Sequence, residues 1–274
     1  SLRSTDYDIK IIGCDADELA SGLYLCDSYY VVPKVDVDNI EIYWQELKSI
    51  IEKENINFML PSGDSGLLIL SKFKNELIDL GVQIFVSSGN IINLCQDKFK
   101  FWQHLNTTFN MPNVIPAVFE KPNIGSGSKG VKLIKPAEGN MLWEYLPGNE
   151  YTVDVFCDIN SNSMCTSVRS RLGIKSGISV KGAIIEHKLI ETESERLCKK
   201  LNIQGPCCIQ WKEDINGIPK LIECNPRLGG GTYITSLAGA NPAQIYLDLA
   251  QGKSITKIIP NKITVTRYFE EHII

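Results

Sequence analysis

The chain has 274 residues, 43% of them hydrophobic and 22% charged, with a formal net charge of −4. That length supports more than one core, and the composition is that of a soluble globular protein. The acidic balance excludes a broad basic surface for a phosphate backbone, and no apolar run approaches the roughly 20 residues that span a bilayer, so neither nucleic acid nor membrane is expected as a partner.

The first third alternates strand and helix. Ile9 to Asp15 reads as a short strand, Ile40 to Glu54 has the apolar spacing of a helix, and Phe58 to Pro61 is a buried strand. Leu67 to Leu80 predicts a helix, Val82 to Val86 a strand, and Ile91 to Asn106 a further helix leading out of this unit. Such alternation predicts an α/β unit with a parallel sheet covered by helices.

From Ala117 the character changes to antiparallel α+β. Phe119 to Pro122 and Val131 to Ile134 are strands flanking the Gly/Ser run Gly125-Ser126-Gly127-Ser128-Lys129-Gly130. Met141 to Leu146 predicts a strand, Pro147-Gly148 a turn, Tyr151 to Cys157 a strand, and the runs around Ser167–Arg171 and Ala183–Ile185 two more. A helix is expected over 191–201, then a hairpin of Cys207–Trp211 with Leu221–Asn225, and finally a helix over 241–251. The nine cysteines are scattered, form no Cys-x-x-Cys pair and often sit in apolar runs. They read as reduced core residues of a cytoplasmic protein, as does the polar start from Ser1 to Lys10, which lacks a signal-peptide apolar stretch.

The hairpin carries the most chemistry. An Asn216-Gly217 step signals a tight turn. With those two as the loop residues, Gln210 lies opposite Glu223, and alternation puts Glu223 and Asn225 on one face. Three oxygen-bearing side chains with Arg227 at the rim suit Mg²⁺, which takes few protein ligands plus substrate phosphates, so a magnesium-bound nucleotide is expected. The Gly125–Gly130 run offers backbone N–H groups, hydroxyls and a cation to an anion, although it is no Walker loop, because no helix follows it. Lys121 beside it suits a triphosphate. Glu144 and Glu150 bracket a candidate adenine-and-ribose hinge, or are solvated carboxylates. Arg169 and Arg171 share a face, spaced to hold a phosphate or carboxylate or to form cross-strand ion pairs. Gly229-Gly230-Gly231-Thr232 presents backbone donors beside Arg227.

Taken together these stretches resemble the ATP-grasp superfamily, in the branch similar to the carbamoyl-phosphate synthase large subunit. The matching segments are Gln96-Asp97-Lys98, Glu120-Lys121-Pro122 with the Gly/Ser run, Glu144 through Asp154, Arg169-Ser170-Arg171, Gly205 through Gln210 and Glu223 through Arg227, while Asp15-Ala16-Asp17 and Leu19 to Pro33 look like the preceding domain. The resemblance implies a parallel-sheet domain at 1–96 and a two-subdomain ATP-grasp fold at 97–274, with a flap subdomain near 117–146. It implies that Lys98 and Lys121 contact ATP phosphates while Gly125, Ser126, Gly127 and Ser128 close over them. Glu144 with the backbone of Tyr145 and Leu146 would meet adenine, and Glu150 the ribose. Gln210, Glu223 and Asn225 would hold Mg²⁺, with Mn²⁺ as a substitute. Arg227, with Lys121, Arg169 and Arg171, would steady the transferred phosphoryl group. The expected activity is ADP-forming ligation of a small-molecule carboxylate to an amine or amino acid; a nucleotide-binding subunit without turnover and a metabolite kinase are the alternatives, and a homodimer is left open. The stretches 112–121 and 135–140 are shorter than in the family and its opening strand is missing, so segments are expected to be absent from the sequence there.

Overall fold

The computed structural model describes residues 1–35, 39–124, 131–175, 178–268, 270–271 and 273. The N-terminal part opens with β1 (Ile12–Asp15) and β2 (Ser28–Val31), paired in parallel, followed by α1 (Ile40–Glu54). Trp44, Leu47, Ile50 and Ile51 recur at helical spacing on the buried face of α1, and Asn55 ends it in the left-handed region. Then come β3 (Phe58–Met59), α2 (Asp64–Lys72), α3 (Lys74–Asp79) and β4 (Gln83–Ile84), with β3 and β4 again parallel. The expected parallel sheet is thus present as two separate two-stranded pieces. The single helix expected over 67–80 is broken at Phe73, whose buried ring stacks on Trp44 with centroids 4.5 Å apart.

The helix expected over 91–106 is also two, α4 (Gly89–Gln96) and α5 (Lys98–Leu105). Asp97 between them is extended, and its carboxylate accepts from the Lys100 amide at 3.0 Å, an N-cap that starts a new helix. Ile92 of α4 packs in the N-terminal core, while Cys95 one turn later joins the core of the second half. Two short antiparallel pairs follow: β5 (Val114–Ile115) and β6 (Val118–Glu120) pair respectively with β8 (Leu142–Trp143) and β7 (Lys132–Ile134). The strand expected over 141–146 shrinks to β8, and the Gly/Ser run at 125–130 lies outside the described residues.

The second half is built on β9 (Glu150–Cys157), β10 (Ser163–Lys175), β11 (Ile178–Ile185), α6 (Lys188–Leu201), β12 (Gly205–Glu213), β13 (Pro219–Asn225), α7 (Thr232–Leu237), α8 (Pro242–Ala250) and β14 (Thr264–Thr266). Six of these form an antiparallel sheet in the order β13-β12-β9-β10-β11-β14. Alternation divides it cleanly. Tyr151, Val153, Val155 and Cys157 of β9 meet Cys207, Ile209 and Trp211 of β12 and the apolar side of α6 in one core. Thr152, Asp154, Cys208 and Gln210 face the other way, toward the chemistry. The N-terminal part is fastened to this sheet by reciprocal bonds between Ser87 Oγ and the backbone of Gln204, and by Lys74 reaching Gln204 Oε1 at 2.8 Å.

Register in the β12–β13 hairpin departs from a simple two-residue turn. Asp214 N bonds to Ile218 O at 3.0 Å, leaving a three-residue loop, and Gly217 takes the left-handed conformation (φ +75°) such a loop requires. Lys212 then pairs with Lys220 and Trp211 with Leu221, which alone would place Gln210 opposite Ile222. A bulge at this point inserts Ile222, so Gln210 faces Glu223 after all. Leu221 and Cys224 lie in the core, while Glu223 and Asn225 turn to the opposite face. Deleting Ile222 removes the unpaired residue and leaves Trp211–Leu221 and Gln210–Glu223 as consecutive pairs, so Glu223 keeps its face. We expect a loss of less than about 3 kcal/mol of stability, read by urea denaturation against the parent chain.

Candidate active site

Cross-strand register lines up Glu223, Gln210, Thr152 and Arg169 in one row across four strands. They border a cavity of about 170 Å³, closed on one side by Gly229, Gly230 and Gly231. Glu223 Oε1 accepts from Gln210 Nε2 at 2.6 Å and from Asn225 Nδ2 at 3.0 Å, and Lys98 Nζ stands 3.2 Å from Oε2. Glu223 therefore already touches both of the other residues expected as metal ligands, with Lys98 at the start of α5 beside it. Turning each amide about its last side-chain bond would present Gln210 and Asn225 oxygens beside the carboxylate. That donor set is hard and carries one negative charge. Among the described residues no group of three or more His, Cys, Asp or Glu side chains is placed to hold a metal. Such a set fits Mg²⁺ or Mn²⁺ only when further oxygens, such as phosphates, complete the shell. Cys208 also lines the cavity, but burial, with Asp154 adding to it, pushes its thiol up to about 12, so it supplies no thiolate nucleophile.

Beneath the glycines lies a buried polar network. Arg169, 1% exposed, donates from Nη1 to Asp154 Oδ2 at 2.5 Å; Thr235 donates to the same oxygen at 2.6 Å and Thr232 to Oδ1 at 2.9 Å. The Gly229 amide bonds to Thr232 Oγ1 at 2.8 Å, so the glycine loop is tied through Thr232 to Asp154 in the sheet. A Cβ on Gly231 would come within 2.9 Å of the Arg169 guanidinium, which is why backbone alone passes there. Arg169 Nε is buried without a partner among the described residues, on the cavity wall. Its neighbour Arg171 is ion-paired with Glu150, with Lys212 3.8 Å from the same carboxylate.

The remaining expected residues occupy two sides. Glu144 is bonded to Lys220 (2.5 Å) and Asn113, and the Lys220 ammonium, with Asn113 next, holds its carboxyl below the usual carboxylate range. Tyr145 beyond it is exposed and Leu146 buried, and the Gly148 amide follows with a bond to Glu213 O at 3.1 Å, so this connection lies along the far end of β12. Lys121 is exposed, just past β6. On the opposite side Arg227, also on the wall of the small cavity, pairs through Nε with Asp64, the first residue of α2.

Five polar residues of this region have side-chain roles that the sequence does not assign. Thr152 and Asp154 alternate with apolar residues on β9, which marks them as facing away from the core, but nothing local says that Asp154 will meet Arg169. Thr232 and Thr235 sit in a six-residue helix too short for periodicity to reveal. Asp64 had a readable signal: it follows β3 at a strand-to-helix passage, and parallel strands present their carboxyl ends to ligands.

Residues 137–271 match the family described as "ATP-grasp in the biosynthetic pathway with Ter operon", and residues 2–85 match the family described as "PylC-like, N-terminal domain". The carbamoyl phosphate synthase large chain of Vibrio cholerae is 22% identical over 316 aligned positions, covering 96% of this chain and 28% of its own length. Among solved structures, biotin carboxylase from Campylobacter jejuni superposes with a TM-score of 0.61 at 14% identity, covering 89% of this chain and 65% of that one. An L-amino acid ligase from Bacillus licheniformis gives 0.60 at 13% identity, with 89% and 74% covered. At these identities the structural likeness is one of fold, and the chain spans less than two thirds of the carbamoyl phosphate synthase and the biotin carboxylase.

Asp154→Asn strands the Arg169 charge in the interior and loosens the glycine loop. An expected loss of about 3–5 kcal/mol, measured by chemical denaturation, checks the weight placed on this pair.

Proposed function

Starting from an ATP-grasp domain set behind a PylC-like N-terminal domain, we propose that this chain is an ADP-forming ligase that joins a small carboxylate to an amine or amino acid. The observation that carries the reading is the contact of Gln210, Glu223, Asn225 and Lys98 on one face of the sheet, with Arg169, Arg171 and Arg227 around the adjoining cavity. One carboxylate and two amides make an incomplete shell for a hard cation, and nucleotide phosphates are the oxygens that complete it.

In this reading Lys98 and Lys121 contact the ATP phosphates, and the Gly125–Ser128 run is assigned to the same phosphates. Glu144, Tyr145 and Leu146 meet the adenine and Glu150 the ribose. Arg171 now holds Glu150, and nucleotide binding exchanges that ion pair for a ribose contact while Arg171 turns to phosphate. Mg²⁺ or Mn²⁺ held by Gln210, Glu223 and Asn225 neutralises phosphate charge when bound. The substrate carboxylate oxygen bonds to the γ-phosphorus as the bond to the β-phosphate oxygen breaks, releasing ADP and leaving an acyl phosphate. Arg227 and the Gly230 and Gly231 amides steady the charge that develops there. An amine then attacks the acyl carbon, loses a proton, and inorganic phosphate departs. No protein nucleophile is needed; positioning and charge neutralisation do the chemistry.

Incubation with Mg-ATP and a pool of amino acids and small carboxylates is expected to yield ADP, phosphate and a condensed product by mass. ADP with a phosphorylated metabolite and no condensation would identify a kinase instead. In Glu223→Ala, kcat for ADP formation is expected to fall at least about a hundredfold; unchanged turnover in that variant would sink the assignment.

A further inference from the structure

A second cavity, of about 530 Å³, opens on the other side of Arg227. It lies within the roughly 300–1,000 Å³ typical of small-ligand sites. Arg227, Gly229 and Gly230 border both cavities, so this arginine stands at their junction. One wall is the passage Ser62-Gly63-Asp64 that leads from β3 into α2, and the other is the start of α7, with Tyr233 and Ser236. Among the described residues Asp64 is the one acidic side chain on these walls and Arg227 the one basic side chain, and they are paired with each other. Ser236 Oγ is buried and has no hydrogen-bond partner among the described residues.

The Asp64 side chain is 55% exposed and that of Arg227 20%. An ion pair with so open a carboxylate contributes little net stability and exchanges readily. A ligand carboxylate entering beside the phosphoryl cavity competes with Asp64 for Arg227. Once displaced, Asp64 is left to solvent beside the cavity. A ligand bearing only a carboxylate adds a second negative charge next to it, whereas one that also carries an ammonium gains an ion pair with it. The pair is therefore matched best by a ligand that brings both signs of charge.

Resting on the ligase reading of this site, we propose that Asp64 is a specificity-determining residue that selects an amino acid in its zwitterionic form as the carboxylate substrate. Its carboxylate takes over Arg227 and its ammonium takes over Asp64. Ser236 Oγ supplies a hydrogen bond at the wall, and the half-exposed Tyr233 ring lies against the side chain.

Isothermal titration of the full chain without nucleotide tests this, using the common amino acids, each beside its N-acetyl derivative and its decarboxylated amine. At least one amino acid is expected to bind tenfold or more tightly than both of its relatives. Asp64→Asn is expected to erase that preference, weakening the amino acid at least tenfold while N-acetyl carboxylates bind as well as before or better. Asp64→Glu is expected to retain the preference, which separates charge from any loss of local structure. An unchanged preference in Asp64→Asn, or no binding across the panel, overturns the proposal. Because no ATP is present, an amino-acid preference found in a chain that never forms ADP would uphold Asp64 and overturn the ligase reading alone.

Discussion

Glu223 and Asn225 face the cavity because β13 carries one residue more than its partner strand. Side chains alternate strictly along a strand, so Leu221, Glu223 and Asn225 belong on one face unless something interrupts the count. Leu221 is fully buried in the core of the second half, and without the bulge at Ile222 it would take Glu223 with it. The extra residue lets β13 serve the core at Leu221 and Cys224 and the chemistry at Glu223 and Asn225. Bulges beside active sites commonly re-aim side chains in this way. Here the contact with Gln210, the approach of Lys98 and the placement of Arg227 after Asn225 all follow from it.

Three arginine–carboxylate pairs surround the site, and their exposure grades their purpose. Arg169–Asp154 is buried on both sides and knitted to Thr232 and Thr235; it is part of the scaffold that holds the glycine loop. Arg171–Glu150 is intermediate, with side chains 7% and 21% exposed. Arg227–Asp64 is the most open and spans the N-terminal and second halves. A buried pair is costly to break because one charge remains stranded, while an open pair yields to water or ligand at little cost. The gradient therefore runs from fixed structure to exchangeable contact as the sheet approaches the larger cavity.

The core behind the sheet is rich in thiols. Cys95, Cys157, Cys198, Cys207 and Cys224 are all buried in the cluster that packs α6 on the sheet, and the Cys207 and Cys224 sulfurs are 3.2 Å apart. All nine cysteines are free. Burial raises the Cys207 thiol well above its ordinary value, so it packs there as a small apolar group. Among the described residues no helix is long and apolar enough to cross a membrane.

Helix α1 was legible to the residue, because apolar positions at regular helical spacing need no distant partner. The paired strands of the hairpin and the common face of Gln210, Glu223 and Asn225 were legible too, although the stated reason was incomplete. A three-residue loop shifts the register by one and the bulge shifts it back, two opposite errors that cancel at Gln210. The breaks at Phe73 and Asp97 were not legible: one turns a ring onto Trp44, a contact 29 positions away, and the other needed a cap to be recognised inside an unbroken apolar rhythm. What the sequence by itself determined is local: periodicity, turn chemistry and which residue types stand on which face of a strand. Tertiary structure alone decided that Arg169 meets Asp154 and Thr235, and that Arg227 meets Asp64 across 163 positions. Charge pairing depends on where the chain returns in space, and nothing in the neighbourhood of either residue encodes that return.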